Sequence, residues 1–276
     1  SRLLLSLRRR RFDCVVYLSP SGRLPEQVQR DRRFFASAGI REFFGLIGFT
    51  ALPARKSGSP LPQVAAESDL LLKRLAVDGV KVPKPGEGSL DLCLGETEQV
   101  ELSAWLAKQG TDAGRPWLGI GPGSKMPAKR WAEERFQEVV RQLIARHNLW
   151  PVIFGGPEDA EIATRLLAAW GCGYSAAGEL SLRAAAAGLA RCRAFLGNDT
   201  GTMHLAAAVG TPCIAIFSAR AHPGMWSPYG VESRVLRSQI DCEGCMLDVC
   251  RERKNECLNR ISIGEVLAVA NDLLSR

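Results

Sequence analysis

The stretch Gly197-Asn198-Asp199-Thr200-Gly201-Thr202-Met203-His204-Leu205-Ala206-Ala207-Ala208-Val209-Gly210-Thr211-Pro212 decides how this chain is read. An apolar run at 194–196 precedes it and another at 213–217 follows. Between these two strands lie a polar turn, a short small-residue helix and a glycine stop. Asp199 or Thr200 can cap the helix by accepting from its first free N–H groups. Gly210 suits the left-handed position that ends a helix, and Pro212 cannot continue one. The first turn of such a helix offers unpaired donors and a positive dipole end, a seat for a diphosphate. The same turn carries a carboxylate (Asp199), two hydroxyls (Thr200, Thr202) and an imidazole (His204). Asp-Thr is also an ordinary cap, and a helix histidine is commonly a packed one. The chain has three histidines, however, and His204 lies at the positive end of the dipole.

Outward from this stretch the pattern repeats. Strands are predicted at 117–121 and 150–154, and helices at 131–147, 158–170, 181–192 and 262–274. Alternating strands and helices of these lengths imply a parallel sheet with helices on both faces. Ligands of such sheets sit beyond the C-terminal strand ends. Three polar loops fall there: Gly121-Pro122-Gly123-Ser124-Lys125, Gly155-Gly156-Pro157-Glu158-Asp159 and the Asp199 turn. No dinucleotide fingerprint and no P-loop is present. The first half is less regular. It holds an apolar strand at 12–18, a glycine-broken apolar run at 43–49, a short helix at 70–75, an alternating segment at 90–94 and an amphipathic one at 98–108. A polar segment at 110–116 reads as a linker. The chain thus divides into domains 1–112 and 113–276.

The 276 residues are 46% hydrophobic and 24% charged, ordinary for a globular protein that can bury a core without disulfides. No apolar run is long enough to cross a bilayer. The opening Ser1-Arg2-Leu3-Leu4-Leu5-Ser6-Leu7 is followed by four arginines, the reverse of a secretory signal, which predicts a cytoplasmic chain. Lysine and arginine outnumber acids 36 to 29, and such a surface attracts polyanions. Arg8 to Arg11 read as a solvated helix end.

The string Asp199-Thr200-Gly201…His204…Ala206-Ala207-Ala208…Gly210-Thr211-Pro212 resembles the signature of glycosyltransferase family 9, which includes the ADP-heptose:lipopolysaccharide heptosyltransferases. Pro122-Gly123-Ser124 with Lys129-Arg130-Trp131, the 155–159 loop, and Arg220…Pro223-Gly224…Trp226…Pro228-Tyr229-Gly230 agree with it. The resemblance implies two Rossmann-like α/β domains of the GT-B type, the N-terminal one incomplete here. It implies inverting, metal-independent transfer of a sugar, heptose above others, from a nucleoside diphosphate to a lipopolysaccharide-core or related glycan. Lys129 and Asp199 would be the catalytic pair. Ser124, Lys125 and Lys129 would meet the donor diphosphate, Asp159 or Glu158 the ribose, and Asp199 the sugar hydroxyls. Thr200, Gly201 and His204 would line phosphate and sugar. Peripheral contact with the anionic inner face of the membrane would follow. Thr202 stands where the family carries proline, and no Leu-Gly-Asp-like element supplies a general base near the N-terminus.

Nine cysteines are present. Cys14, Cys93, Cys172, Cys192 and Cys213 lie in or beside apolar segments and read as small buried hydrophobes. Cys242, Cys245, Cys250 and Cys257 can form a tetrahedral thiolate site for structural zinc, or can be free thiols packing a loop against the last helix. Two further functions stay open: a non-catalytic nucleotide-sugar binder, and a basic zinc-knuckle module for nucleic acid. The absence of aromatics at 242–260 argues against the last, so nucleic acid is not the expected partner.

Overall fold

The computed structural model describes residues 2–49, 51–112 and 114–276. Ser1 of the opening segment and Ala113 of the expected linker lie outside them. The chain forms two compact units. One comprises Ser1–Lys56, Pro62–Gly88 and Gly224–Trp226; the other comprises Ser57–Leu61, Ser89–Pro223 and Ser227–Arg276.

The smaller unit holds α1 (Arg2–Arg10), β1 (Cys14–Val16), α2 (Pro25–Ser37), β2 (Glu42–Phe44) and α3 (Glu67–Val77). β1 and β2 pair in parallel, Cys14 opposite Glu42 and Val16 opposite Phe44. The Arg8 guanidinium donates to Ser37 O at the end of α2, at 2.7 and 3.0 Å. This places the arginine run at a helix end, as its composition suggests. The loop after β1 is held by two buried charges of α3. Glu67 accepts from Ser21 N at 2.6 Å, and Arg74 donates to Ser19 O and lies over the Phe49 ring, 4.1 Å from its centroid.

The larger unit holds α4 (Glu96–Leu106), β3 (Trp117–Gly121), α5 (Glu133–His147), β4 (Trp150–Ile153), α6 (Ala160–Trp170), β5 (Tyr174–Ser175) and α7 (Leu182–Leu189), then β6 (Cys192–Asn198), α8 (Gly201–Ala208), β7 (Cys213–Phe217), β8 (Ser233–Arg237), α9 (Glu256–Asn259) and α10 (Ile263–Leu274). Its sheet runs β5-β4-β3-β6-β7-β8, every pair parallel. Side chains alternate across the strands. Leu118, Ile120, Ala194, Leu196, Ile214 and Ile216 therefore share one core with Phe136, Val140 and Leu143 of α5 and Val266 and Ala270 of α10. Both faces are covered, so the strands read as unbroken apolar runs. The chain moves outward from β3 to β5 and returns to β6 on β3's other side. That reversal is the crevice-forming point of an open α/β sheet.

Two local expectations are corrected. Segment 90–94 is not a strand. The carbonyls of Leu92 and Cys93 accept from Arg183 at 2.9 and 3.0 Å, and Cys93 sits at φ 46°, which breaks an extended ladder. Arg183 also pairs with Glu98 at 2.5 Å, and residues 89–112 belong to the larger compact unit. Of the five scattered cysteines, Cys192 and Cys213 are buried as expected, whereas Cys14 and Cys93 are exposed. Burial pushes the Cys213 thiol up to about 12.

Candidate functional site

β3, β4 and β6 end at one cavity of about 650 Å³, built wholly from the larger unit. Ser124, Lys125, Lys129, Asp159, Asp199, Thr200 and Gly201 all line it. The structure thus gathers seven of the eight expected site residues from three separate loops. His204 is the eighth and does not line the cavity.

The polar end is organised by β6. Its last residue, Asn198, is fully buried. The Asn198 side chain accepts from Trp131 N at 3.1 Å and donates to Pro122 O at 2.7 Å. It ties both ends of the loop after β3 to the strand. Between those ties lies a single 3-10 turn, Pro127–Lys129. Lys129 Nζ meets Asp199 Oδ2 at 2.7 Å, with both side chains largely buried. Neither Asp199 nor Thr200 caps α8, contrary to expectation. Asp199 is drawn to Lys129, and the Thr200 hydroxyl meets that of Thr202 at 2.8 Å. The first-turn N–H groups are therefore free of any side-chain cap, and the Cβ position of Gly201 faces open space. A cation and a positive helix end face the same volume, which suits a polyanion. Beside them, burial holds the His204 imidazole below the ordinary histidine range, with Asp199 opposing that shift. His204 is accordingly neutral at neutral pH.

Asp159 lies where the loops after β3 and β4 meet. A methyl at Gly123 or at Gly155 would overlap its carboxylate, so glycine at both positions makes room for it. Burial raises the Asp159 carboxyl above the ordinary aspartate range. A hydrogen bond from Gly156 N at 3.2 Å opposes this, and neighbouring Glu158 adds to it. Because the folded state holds the proton more tightly than the unfolded state, ionisation of Asp159 works against folding. The penalty grows as pH rises through the interval above the ordinary aspartate value and is complete above the raised one. Asp159→Asn is expected to raise the melting temperature at pH 7, with the gain disappearing below about pH 3.9. Thermal melts across that range check it; an equal gain at all pH values would contradict the assignment.

The far wall is apolar: Phe154, Leu180, Leu182 and Ala185 line it, and Leu182 is 72% exposed. Nothing in spacing or composition marks these wall residues, and the joining role of Asn198 has only an indirect clue. An amide closing an apolar buried strand was the available clue for Asn198, since buried polar groups are hydrogen-bonded.

Cys242, Cys245, Cys250 and Cys257 line a separate cavity of about 20 Å³ with Arg220 and Arg253. The zinc expectation is not met. Among the described residues no three or more histidine, cysteine, aspartate or glutamate side chains are placed to hold a metal ion. A thiolate cage needs four sulfurs about 2.3 Å from one point. Here Cys245 is exposed, and two guanidinium groups share the cavity wall.

A family profile described as glycosyltransferase family 9 (heptosyltransferase) matches residues 71–256. The chain belongs to glycosyltransferase family 9. Among family relatives, lipopolysaccharide heptosyltransferase 2 of Salmonella typhimurium is 36% identical over 148 residues, covering 51% of this chain and 42% of that protein. The Escherichia coli K12 protein of the same name is 36% identical over 129 residues, covering 45% of this chain and 36% of that one. The matched part of this family 9 chain thus spans less than half the length of either relative. The solved E. coli ADP-heptose lipopolysaccharide heptosyltransferase II superposes with a TM-score of 0.64 at 25% identity, covering 99% of this chain and 80% of that one. A family 9 glycosyltransferase from Veillonella parvula gives a TM-score of 0.70 at 23% identity, covering 98% and 77%, which shows the shared fold. The α/β architecture with parallel sheets is that of the family's GT-B members.

Proposed function

We propose that the larger unit binds a nucleoside-diphosphate sugar and that the protein transfers the sugar, with inversion, to a lipopolysaccharide-core or related glycan. The observation that carries this reading is the Lys129–Asp199 pair beside the uncapped start of α8. The acceptor hydroxyl oxygen forms its bond to the anomeric carbon as the bond to the diphosphate oxygen breaks. The departing diphosphate gains charge, which Lys129, Lys125 and the α8 amides meet. Asp199 holds Lys129 toward the phosphates and offers its second oxygen to sugar hydroxyls. Asp159 and Glu158 accept from the ribose, and Leu180, Leu182 and Ala185 cover the base. The charge is met by these groups without calling for a metal. The hydroxyl's proton goes to a carboxylate base, which this reading does not assign.

Heptose and adenine are proposed from the relatives' names and from the solved E. coli WaaC with ADP, a protein of the same fold. No helix among the described residues is long and apolar enough to cross a membrane. We place the protein in the cytoplasm, with arginines of α1 and α2 suited to anionic phosphates at the inner membrane face. Isothermal titration of the chain with ADP, UDP and GDP tests the donor site. ADP is expected to bind with a dissociation constant in the micromolar range, about −8 kcal/mol, and more tightly than the other two. Absence of binding by every nucleoside diphosphate would overturn the reading. Binding without transfer by the natural full-length protein would leave a nucleotide-sugar binder.

A further inference from the structure

The cysteine-lined cavity is not used by the proposed transfer, yet it stands next to the turn that carries Lys129. We propose that Cys245 and Cys242 are a thiol–disulfide exchange pair whose oxidation alters the setting of Lys129. Four features support it. Cys242, Cys245, Cys250 and Cys257 all line one cavity with room for about one water molecule. Cys242 feels both Cys245 and Cys257 electrostatically. Residues 241–244 form a turn that contains Cys242, with Cys245 immediately after it and three positions on in sequence. Finally, Cys245 is exposed and reachable by a small disulfide, whereas Cys242 is half-buried.

The chemistry needs a disulfide of the glutathione type as oxidant. The Cys245 thiolate attacks one sulfur and expels one glutathione thiolate. The Cys242 thiolate then attacks the Cys245 sulfur of the mixed disulfide and expels the second glutathione. Two protein thiols are oxidised, one glutathione disulfide is reduced to two thiols, and the two protons end on those thiols.

The link to the donor site is a short run of backbone. Gly244 N donates to Ala219 O at 2.9 Å. Arg220 donates to Met246 O at 2.6 Å and Leu247 O at 2.8 Å, and Met246 sits at φ 55°. Asp248 O accepts from Ala128 N at 3.0 Å, and Asn255 donates to Pro127 O at 2.9 Å. Lys129 is the next residue of that turn. Drawing Cys245 onto Cys242 pulls directly on Met246, and the strain has few residues over which to dissipate.

The coupling arm rests on Lys129 serving the donor, so its readout is chosen not to depend on nucleotide binding. The full chain with Cys14→Ser and Cys93→Ser is equilibrated in graded glutathione disulfide and glutathione, alkylated and mapped by mass spectrometry. A Cys242–Cys245 disulfide reversed by dithiothreitol is expected, absent in the further variant Cys245→Ser. The acylation rate of the Lys129 amine is measured in both states and is expected to change about fivefold, the low end of ordinary coupling between sites. ADP affinity is expected to fall by a similar factor. A stable glutathione adduct on Cys245, or no exchange, would overturn the pair. A disulfide with unchanged Lys129 reactivity would overturn its link to the donor site, and failure of ADP to bind the reduced chain would instead count against the function proposed above.

Discussion

Lys129→Ala is expected to weaken ADP binding at least tenfold, about 1.4 kcal/mol, and to slow transfer about a hundredfold, about 2.7 kcal/mol. Two effects add. The diphosphate loses a cation held close to it. Asp199, only 4% exposed, loses its partner and leaves a carboxylate facing the phosphates. Removing one member of a buried pair costs more than the pair contributes, because the survivor's charge is uncompensated. Asp199→Ala should therefore harm ADP binding less than Lys129→Ala does, since the freed ammonium can still reach phosphate. The double variant should recover part of the Lys129→Ala loss. A double-mutant cycle by titration measures this. Strictly additive losses, or unchanged affinity in Lys129→Ala, would dismantle the site.

Asn198→Ala is expected to lower stability substantially. The side chain is fully buried and is the partner of Trp131 N and Pro122 O. Alanine would remove both bonds and leave a buried donor and a buried acceptor without that partner. At about 1–3 kcal/mol for each such group, the loss is about 3 kcal/mol. A domain of this size melts about 2–4 °C lower per kcal/mol, so a fall of about 9 °C is expected. Calorimetry checks it. Asn198→Asp should not rescue it, because a carboxylate can accept from Trp131 N but cannot donate to Pro122 O. A melting temperature within 2 °C of the parent, roughly under 1 kcal/mol, would show that the loop after β3 does not depend on this residue.

The larger unit was legible because its strands are buried on both faces. Runs such as Cys213–Phe217, all buried, carry no polar interruption and are bounded by glycine and proline. Edge elements gave weaker signals. β8 is Ser-Arg-Val-Leu-Arg, in which solvent and neighbouring acids dictate half the side chains, and β5 has two residues. Segment 90–94 misled because alternation of period two is a local property, whereas its conformation is set by Arg183, some ninety residues away. The site residues were readable as chemistry, lysines and a carboxylate at strand ends, but not as partners. That Asp199 turns to Lys129 rather than capping α8 depends on Asn198 fixing the loop in between, a three-body arrangement that no single spacing encodes. The thiol cluster shows the reverse. Its spacing suggested a metal cage, while two arginines and an exposed cysteine make the assembled cavity something else.

The seam between β3 and β6 joins residues more than seventy positions apart, Gly121 opposite Gly197 among them. On a ribosome, one side of β3 has no partner until Cys192–Asn198 has cleared the exit tunnel, by which time the β5-β4-β3 half of the sheet has been waiting with that flank open. Nascent chains halted before that point should be sticky and protease-sensitive, and those halted shortly after β7 should become resistant in a single step.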